Sequence, residues 1–542
     1  MVSPRKQPEL LNLVEELLAE QNRLQTPVAR ASVAHDQFTA LKSQGANYQS
    51  LIPLTAPGPG EQYAFEVDLD SCTGCKACVV ACHSLNGLDD TEAWRDVGFI
   101  TGGTRFAPYQ QTVTTACHHC ADPACLNGCP VLAYEKDPVT GIVRHLDDQC
   151  IGCQYCILKC PYDVPKYNER LGIVRKCDMC HQRLGAGEAP ACVQACPTHA
   201  IKIVKVSVTG TGSLEAGSPR VDTSAFLPAA PDPSYTQPTT RYVSQRPQPI
   251  DTQAADATVL RPQPPHWPLV ALLMLMPMAV GCGVADKALN LTTPALAVSG
   301  WAAGAAGLAL AGLHLGRPLR AWRVFLGLRK SWFSREAVLF GAWFPLATAY
   351  VAVRLGWVPL EPGPLRSTLA VGTAALGLLA LFCSVMIYVD TRRVFWRFAN
   401  TAPRFFGSAI ILGLAGALTA PGAPLTLGFA LAVVTMLKLA FEARALAPLN
   451  ELWDGTASPA RQTARLLTGP LQGANALRVT AALLGGILLP LALALGAAPL
   501  AAAWPALALC LLGELAERYL FFRAVDAPKM PGQPGSGQGG NP

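Results

Sequence analysis

Sixteen of the nineteen cysteines lie between Cys72 and Cys196, where they form four groups of four. Three groups end in a Cys-Pro dipeptide. A cubane iron–sulfur cluster needs four thiolates, and in bacterial tandem sites the cysteine before the proline ligates the other cluster of a pair. The spacing therefore predicts four [4Fe–4S] clusters with no ligand to spare. The groups are Cys72, Cys75, Cys78 and Cys82; Cys117, Cys120, Cys125 and Cys129; Cys150, Cys153, Cys156 and Cys160; and Cys177, Cys180, Cys192 and Cys196.

Two other uses of cysteine fit this array poorly. Structural zinc sites pair one C-x2-C with a second pair or with histidines, so the third cysteine of each group would have no role. Disulfide frameworks are typical of small secreted chains, and the first residues contain neither a signal-peptide apolar region nor a twin-arginine pair. Iron–sulfur clusters remain the prediction.

The chain is long enough for several domains, and its apolar residues are unevenly distributed. It has 542 residues, of which only 15% are charged, and the long apolar stretches begin after residue 266. The formal net charge of +6 is modest. We interpret it as a signal of membrane orientation, and we expect no nucleic-acid partner.

Five regions follow from these patterns. Residues 1–62 predict a helical extension that packs on the cluster domain or docks a partner, and both interpretations stay open. Residues 63–206 predict a ferredoxin-like α+β domain with four clusters. Residues 207–265 are rich in proline and predict an extended linker that leaves the next domain's angle free. Residues 266–522 predict an all-α polytopic membrane domain, and residues 523–542 a disordered tail.

The membrane domain should contain about eight transmembrane helices, because each apolar segment has about 20 residues. The connections on one side are rich in arginine, and the opposite connections offer only Lys287, Arg354 and Arg366 near their ends. The positive-inside rule predicts that both termini and the cluster domain face the cytoplasm. The expected segments are 267–286, 295–315, 336–354, 367–389, 405–421, 424–442, 477–496 and 499–520.

The cysteine region closely resembles the iron–sulfur subunit of dimethyl sulfoxide reductase-type molybdoenzymes. The resemblance rests on SCTGCKACVVAC, ACHHCADPACLNGCP, QCIGCQYCILKCPYDVPKYN and RKCDMC with ACVQACP. It implies that the first and fourth groups share one cluster pair and the second and third share another. The implied ligand sets are Cys72, Cys75, Cys78 and Cys196 (set one); Cys82, Cys177, Cys180 and Cys192 (set two); Cys117, Cys120, Cys125 and Cys160 (set three); and Cys129, Cys150, Cys153 and Cys156 (set four).

The membrane half resembles the anchor subunit of the same reductases through LHLGRPLRAW, SREAV, YVDTRRVFW and GELAERYLF. The resemblance implies a quinol site at His314 and Glu336, which flank the connection between the second and third spans. Quinol loses two protons as it gives up two electrons, so a histidine and a carboxylate suit this role. Further candidates are Tyr388 and Asp390, which end the fourth span, and Glu514 and Arg518, an i,i+4 pair that could simply neutralise itself.

This resemblance implies an electron-transfer and anchor subunit of a molybdopterin oxidoreductase in the cytoplasmic membrane. It would oxidise menaquinol and pass electrons to a separate catalytic subunit, because no region here is large enough for molybdopterin. We also expect no haem, since a membrane haem pair needs four histidines and only His314 lies in or beside the spans apart from His266. Electron flow in reverse, from a cytoplasmic oxidation such as that of sulfite, stays open, and ion translocation is a further alternative.

Overall fold

The computed structural model describes residues 49–209, 220–358, 364–450 and 457–533, together with positions 16, 17, 19, 20 and 23. All five of these positions are helical. Most of the expected N-terminal extension therefore lies outside the described residues. Two parts follow along the chain, an α+β domain and a bundle of long helices, and they confirm the predicted fold class.

Two three-stranded sheets form the frame of the α+β domain. Strand β1 pairs antiparallel with β8 and parallel with β9, and β2 lies between β10 and β3. Two short hairpins, β4–β5 and β6–β7, complete the strands. The strands are β1 Glu61–Asp68, β2 Asp96–Thr104, β3 Ala107–Thr115, β4 Tyr134–Lys136, β5 Val143–His145, β6 Lys166–Asn168, β7 Ile173–Arg175, β8 Ile201–Ser207, β9 Arg241–Val243 and β10 Gln253–Ala254.

Short helices begin within or beside the cysteine groups. The core joins strand residues such as Phe65 and Ile203 to the cysteines Cys78, Cys177 and Cys192. The cysteine loops therefore occupy the place that larger apolar side chains hold in an ordinary core. The helices are α1 Ala77–Asn86, α2 Ala124–Gly128, α3 Tyr155–Lys159, α4 His181–Gly185 and α5 Ala191–Gln194.

The proline-rich region differs from the expected free linker. From Arg220 onward it packs on the α+β domain and supplies strands β9 and β10. Phe226, Leu227 and Tyr242 are buried in the domain core, and the Thr239 amide donates a 3.2 Å hydrogen bond to the His118 carbonyl. The segment has no periodic pattern of apolar residues. A few large apolar side chains and backbone pairing with existing strands are enough to hold it on the domain.

Among the described residues, seven helices are long and apolar enough to cross a membrane. The sixth expected segment is also a helix, Leu427–Ala443, but its 17 residues make it shorter than the others. The helices are α6 Trp267–Leu289, α7 Ala295–Leu313, α8 Trp332–Arg354, α9 Pro364–Val389, α10 Phe398–Leu418, α11 Leu427–Ala443, α12 Pro459–Thr468, α13 Gln472–Ala481, α14 Leu489–Ala494 and α15 Ala503–Arg523. A π-helical turn joins α13 to α14, so that together they make one span.

The α+β domain lies directly against one end of the bundle. The Arg317 amide donates a 3.0 Å hydrogen bond to the Ile151 carbonyl, and the Ser331 hydroxyl donates one of 2.7 Å to the Gly128 carbonyl. A Cβ on Gly316 would overlap the Gly172 carbonyl oxygen. Glycine is therefore required at Gly316, because only a bare backbone allows this approach.

The segment after α15 differs from the expected disordered tail as far as Gln533. Met530 is buried in the α+β core, and the Phe99 amide donates a 3.2 Å hydrogen bond to the Gly532 carbonyl. Gly98 lies so close to Pro531 that a Cβ there would overlap the Pro531 carbonyl oxygen. Residues 525–533, called here the return segment, thus lead from the bundle back to the first domain. Residues 534–542 lie outside the described part.

Candidate functional site

The first and third ligand sets each surround a single cavity. The four cysteines of set one line a cavity of ≈290 Å³ bounded by the loop at Gly74 and by Ile201. Those of set three line one of ≈380 Å³, together with His118, His119 and Lys176. Cysteines far apart in sequence, such as Cys78 and Cys196, meet because β1 and β8 pair side by side.

The second and fourth sets also come together. In set two, the Cys82 thiol interacts electrostatically with Cys180 and Cys192. Cys177 interacts with both Cys82 and Cys192. In set four, Cys156 interacts with all three other members, Cys153, Cys150 and Cys129.

These cysteines fit iron–sulfur clusters better than single metal ions. In the described part of the chain, no three His, Cys, Asp or Glu side chains converge closely enough to hold one ion. A cubane cluster tolerates wider spacing, because its iron and sulfide atoms stand between the thiolates. Burial raises the pKa of the Cys125 thiol to about 12, although Lys176 opposes the shift. Ligation must therefore displace a proton from such a buried thiol.

The four sets follow one another in a row. Cys78 of set one interacts with Cys192 of set two. Cys177 of set two interacts with Cys117 of set three. Tyr134 stands between sets three and four, since it interacts with Cys125 as well as with Cys156 and Cys129. Set four lies next to the bundle, since the carbonyl of Ile151, between its ligands Cys150 and Cys153, accepts the hydrogen bond from the Arg317 amide.

His314 lies where the bundle meets set four. It follows the last residue of α7, and its side chain lies beside the backbone of Cys153, close enough to interact with it. Its ring also packs edge-on against His266, with 6.1 Å between ring centroids. His266 immediately precedes α6, and only the folded bundle brings it to His314.

Glu336 lies in the first turns of α8, where it accepts a hydrogen bond from the Ser384 hydroxyl. Tyr388, one turn beyond Ser384 on α9, interacts electrostatically with Glu336. Tyr388 is buried among aromatic rings and lies 5.8 Å from Phe522, which in turn lies 6.0 Å from His266. A series of neighbouring side chains thus runs from Glu336 through Tyr388 and Phe522 to His266 and His314. Ser384 was not among the sequence candidates, because a serine within an apolar span gives no signal of its own.

Asp390 lies at the contact between the bundle and the cysteine domain. Its carboxylate forms a 2.8 Å ion pair with Lys159, and its backbone carbonyl accepts hydrogen bonds from Lys159 and from the Tyr235 hydroxyl. The Tyr155 hydroxyl donates to the same carboxylate over 3.3 Å. Asp390 therefore joins α9 to the cysteine domain.

Glu514 and Arg518 do not form the expected pair with each other. Glu514 pairs with Lys438 and, over 3.3 Å, with Arg478. Arg518 pairs with Glu517 over 2.6 Å, and its guanidinium also donates to the Ser408 hydroxyl. These buried groups, with Arg404 and Glu442, form an ion network between α10, α11, α13 and α15.

Comparisons with known proteins match both parts of the chain. The family model described as a 4Fe-4S dicluster domain matches residues 109–206. The model described as the DMSO reductase anchor subunit (DmsC) matches residues 292–523. The two matches follow each other on one polypeptide.

Curated relatives cover the cysteine half. The B subunit of the anaerobic dimethyl sulfoxide reductase of Haemophilus influenzae is 36% identical over 190 residues, which are 33% of this chain and 87% of the relative. The corresponding B subunit of Escherichia coli K12 is 39% identical over 151 residues, 26% of this chain and 72% of the relative. The formate dehydrogenase-O iron-sulfur subunit of that organism is 37% identical over 158 residues, 26% of this chain and 52% of the relative. The protein therefore belongs to the family of dimethyl sulfoxide reductase iron–sulfur subunits, here fused to a membrane anchor of the DmsC family.

Proposed function

We propose that this chain oxidises menaquinol at the membrane and passes the electrons through four [4Fe–4S] clusters to a separate molybdopterin-containing subunit. One observation carries the proposal: His314, at the end of a membrane helix, lies beside the backbone of Cys153 in set four. A quinol bound beside His314 would lie next to the last cysteine set in the row. Electrons would then need no other relay between the membrane and the cysteine domain.

The sixteen cysteines are proposed to hold the clusters in the four sets defined above. When bound, the clusters supply one-electron redox centres. The protein contributes the fixed spacing, because sets one and two, two and three, and three and four each share close neighbours. This row provides a path from set four towards set one, where a catalytic partner would receive the electrons.

His314 and Glu336 are proposed to take the two protons that quinol releases. The Ser384 hydroxyl donates to Glu336 and so fixes one carboxylate oxygen. His266 packs against His314 and limits its ring orientation. His314 and Glu336 thus offer two proton acceptors at one rim of the bundle, as a two-electron, two-proton oxidation requires. Tyr388, Glu514 and Arg518 remain proposed contributors at the same end.

The test is quinol oxidation by the His314→Ala variant. Loss of a positioned proton acceptor should lower the rate about 10²–10⁴-fold, while dithionite should still reduce the clusters. The matched control is Asn400→Ala, a polar residue at the same end of the bundle on α10, which should leave the rate unchanged. Unchanged quinol oxidation and unchanged binding of a quinol-site inhibitor in His314→Ala would contradict the assignment of the site to His314.

The cluster count has its own test. Purified protein should contain about sixteen iron and sixteen acid-labile sulfide atoms per chain, since each cubane holds four of each. The Cys125→Ser variant should lose set-three signals in the electron paramagnetic resonance spectrum and keep the others. An iron content of about half that value in the unmodified protein would contradict four clusters.

We further propose that the cysteine domain faces the cytoplasm. Arg317, Arg320 and Arg323 come from the arginine-rich connection between α7 and α8, and they hydrogen-bond to the cysteine domain at Leu171, Asp148 and Gln149. The positive-inside rule puts such a connection on the cytoplasmic side. A protease added to sealed inside-out vesicles should reach the cysteine domain, and in right-side-out vesicles it should not.

Reverse electron flow is the second candidate, because one relative is named as a formate dehydrogenase subunit. In that case a cytoplasmic oxidation would reduce quinone at the same site. Redox titration of the clusters distinguishes the two directions. Potentials mostly above that of the quinone pool favour quinol oxidation, and potentials mostly below it favour quinone reduction.

A further inference from the structure

A polar cavity of ≈450 Å³ lies at the end of the bundle remote from the cysteine domain. It is lined by the C-terminal turn of α6, by Tyr350 of α8 and by the first turns of α9. Helix α6 has 23 residues and is therefore about 34 Å long. Its first residue adjoins His266 near the cysteine domain, so the cavity lies across the membrane from the proposed quinol site.

The basic residues at this end converge on the cavity. Lys287 and Arg366 line it, and Arg354 lies behind it through its ion pair with Asp286. The other two connections on this side, residues 419–426 and 495–502, carry no charged residue. Even with Glu361, which lies outside the described residues, three cations face two carboxylates. This end of the bundle thus has few cations, and it gathers them in one place.

The only described carboxylate of the cavity is already engaged. Asp286 pairs with Arg354 over 3.2 Å, both side chains are almost fully buried, and the Tyr350 hydroxyl donates to the other Asp286 oxygen. Lys287 donates a 2.9 Å hydrogen bond to the neutral Ser367 hydroxyl. Arg366 reaches Asp286 only by a longer electrostatic interaction. Two cations therefore border the cavity without a carboxylate in contact among the described residues.

This combination suits a phosphate group. Lysine and arginine are the side chains that bind phosphate, and arginine does so with paired N–H donors. The amides at the N-terminus of α9, beside Arg366 and Ser367, add positive potential. The cavity also lies where α6 and α8 end and α9 begins, which is the depth of lipid headgroups. Lysine and arginine near helix ends extend to the membrane interface, where a lipid phosphate is available to pair with them.

We propose that this cavity binds the phosphate group of an anionic phospholipid from the leaflet remote from the cysteine domain. Lys287 and Arg366 would contact the phosphate oxygens, and Asn290 and Ser367 would supply neutral hydrogen bonds. The headgroup would then join α6 to α9 by bridging cations from both helices. A free phosphate ion has the same chemistry and is the second source that the experiment must distinguish.

The experiment measures the melting temperature of the full-length protein in delipidated detergent micelles. The probes are phosphatidylglycerol, dioleoylglycerol, which lacks phosphate, and inorganic phosphate alone. Phosphatidylglycerol should raise the melting temperature by about 2–4 °C, and dioleoylglycerol should not. The K287Q/R366Q variant should lose the rise, and the charge-conserving K287R/R366K variant should retain it.

The matched control is R329Q/K330Q, which removes two exposed cations at the opposite end of the bundle and should keep the full response. If K287Q/R366Q fails to fold, R366Q alone serves, because Arg366 is only half-buried. A rise caused equally by inorganic phosphate and lost in the variant would assign the cavity to free phosphate. No rise with either phosphate probe, or an equal rise in K287Q/R366Q, would overturn the proposal.

Discussion

Lys176 is a buried cation between two of the cysteine sets. Its amine lies 3.6 Å from the Cys117 sulfur and donates a 2.9 Å hydrogen bond to the Cys177 carbonyl. It also interacts electrostatically with Cys125. Cys117 and Cys125 belong to set three and Cys177 to set two, so the single positive charge of Lys176 acts on both cysteine sets. Each electron adds negative charge, and a nearby cation therefore favours the reduced state.

Replacing Lys176 by methionine should lower the reduction potentials of the clusters in sets three and two, with the larger change in set three. Methionine keeps most of the side-chain volume and removes the charge. Redox titration followed by electron paramagnetic resonance measures the potentials. Lys205→Met is the control, because its amine bonds to Thr55 at the surface. Equal potentials in Lys176→Met and the unmodified protein would contradict a tuning role.

At this scale the sequence predicts ligands better than their surroundings. The cysteines are recognisable because their spacing is local. The partners of Asp390 were not predictable, since Lys159 lies 231 residues away and meets Asp390 only when the two parts dock. Glu514 and Arg518 were expected to pair because they are one turn apart, yet closer partners from other helices compete successfully for Glu514, and Arg518 pairs instead with the adjacent Glu517.

The helices of the second half of the bundle are joined by their buried ion network. Glu514 of α15 contacts Lys438 of α11 and Arg478 of α13, while Arg404 of α10 pairs with Glu517 over 2.7 Å. These cations, with Arg518, surround the carboxylates of Glu514, Glu517 and Glu442. Removing one partner of a buried pair leaves the other charge uncompensated, which is more costly than losing the attraction itself.

The Glu514→Ala variant should therefore destabilise the bundle by about 3–5 kcal/mol. Thermal unfolding in detergent, followed by circular dichroism, measures the loss. The exposed Thr480→Ala substitution on α13 is the control and should change the unfolding free energy by less than about 0.5 kcal/mol. An unchanged unfolding free energy in Glu514→Ala would show that the contacts of the helices do not depend on Glu514.

The long apolar helices were predictable from the sequence. The short strands that form only by pairing with another strand were not. The eight apolar segments correspond to helices because each apolar stretch is visible in the sequence alone. Strands β9 and β10 have only three and two residues, and they exist because β1 and β2 offer free edges. The expected linker and tail were therefore misjudged where a few apolar residues, such as Tyr242 and Met530, reach the distant core.

In the whole molecule, the contact at Asp390 holds the cysteine domain on the bundle. Lys159 and Tyr155 of α3 both reach Asp390, and α3 contains Cys156 of set four. The hydroxyl of Tyr155 also donates a 2.9 Å hydrogen bond to the Ile387 carbonyl. The same short helix thus carries a cluster ligand and the domain contact, which fixes the distance between set four and the proposed quinol site.

The Asp390→Asn variant should slow electron transfer from quinol into the clusters by up to about 10²-fold, because a displacement of about 1 Å can have that effect. Iron content and dithionite reduction should not change. Stopped-flow absorbance of cluster reduction measures the rate. Asp89→Asn is the control, because Asp89 pairs with the exposed Arg170 inside the cysteine domain. An unchanged rate in Asp390→Asn would show that the docking does not depend on this pair.

The return segment constrains the order of events in biosynthesis. Met530 and Gly532 complete the core and sheet of a domain whose other strands are translated before any membrane helix. Because residues 530–532 follow the final span in the chain, the surface at Gly98 stays uncovered until that span has been translated. The last part of the first domain's core is thus contributed by residues translated after every membrane helix.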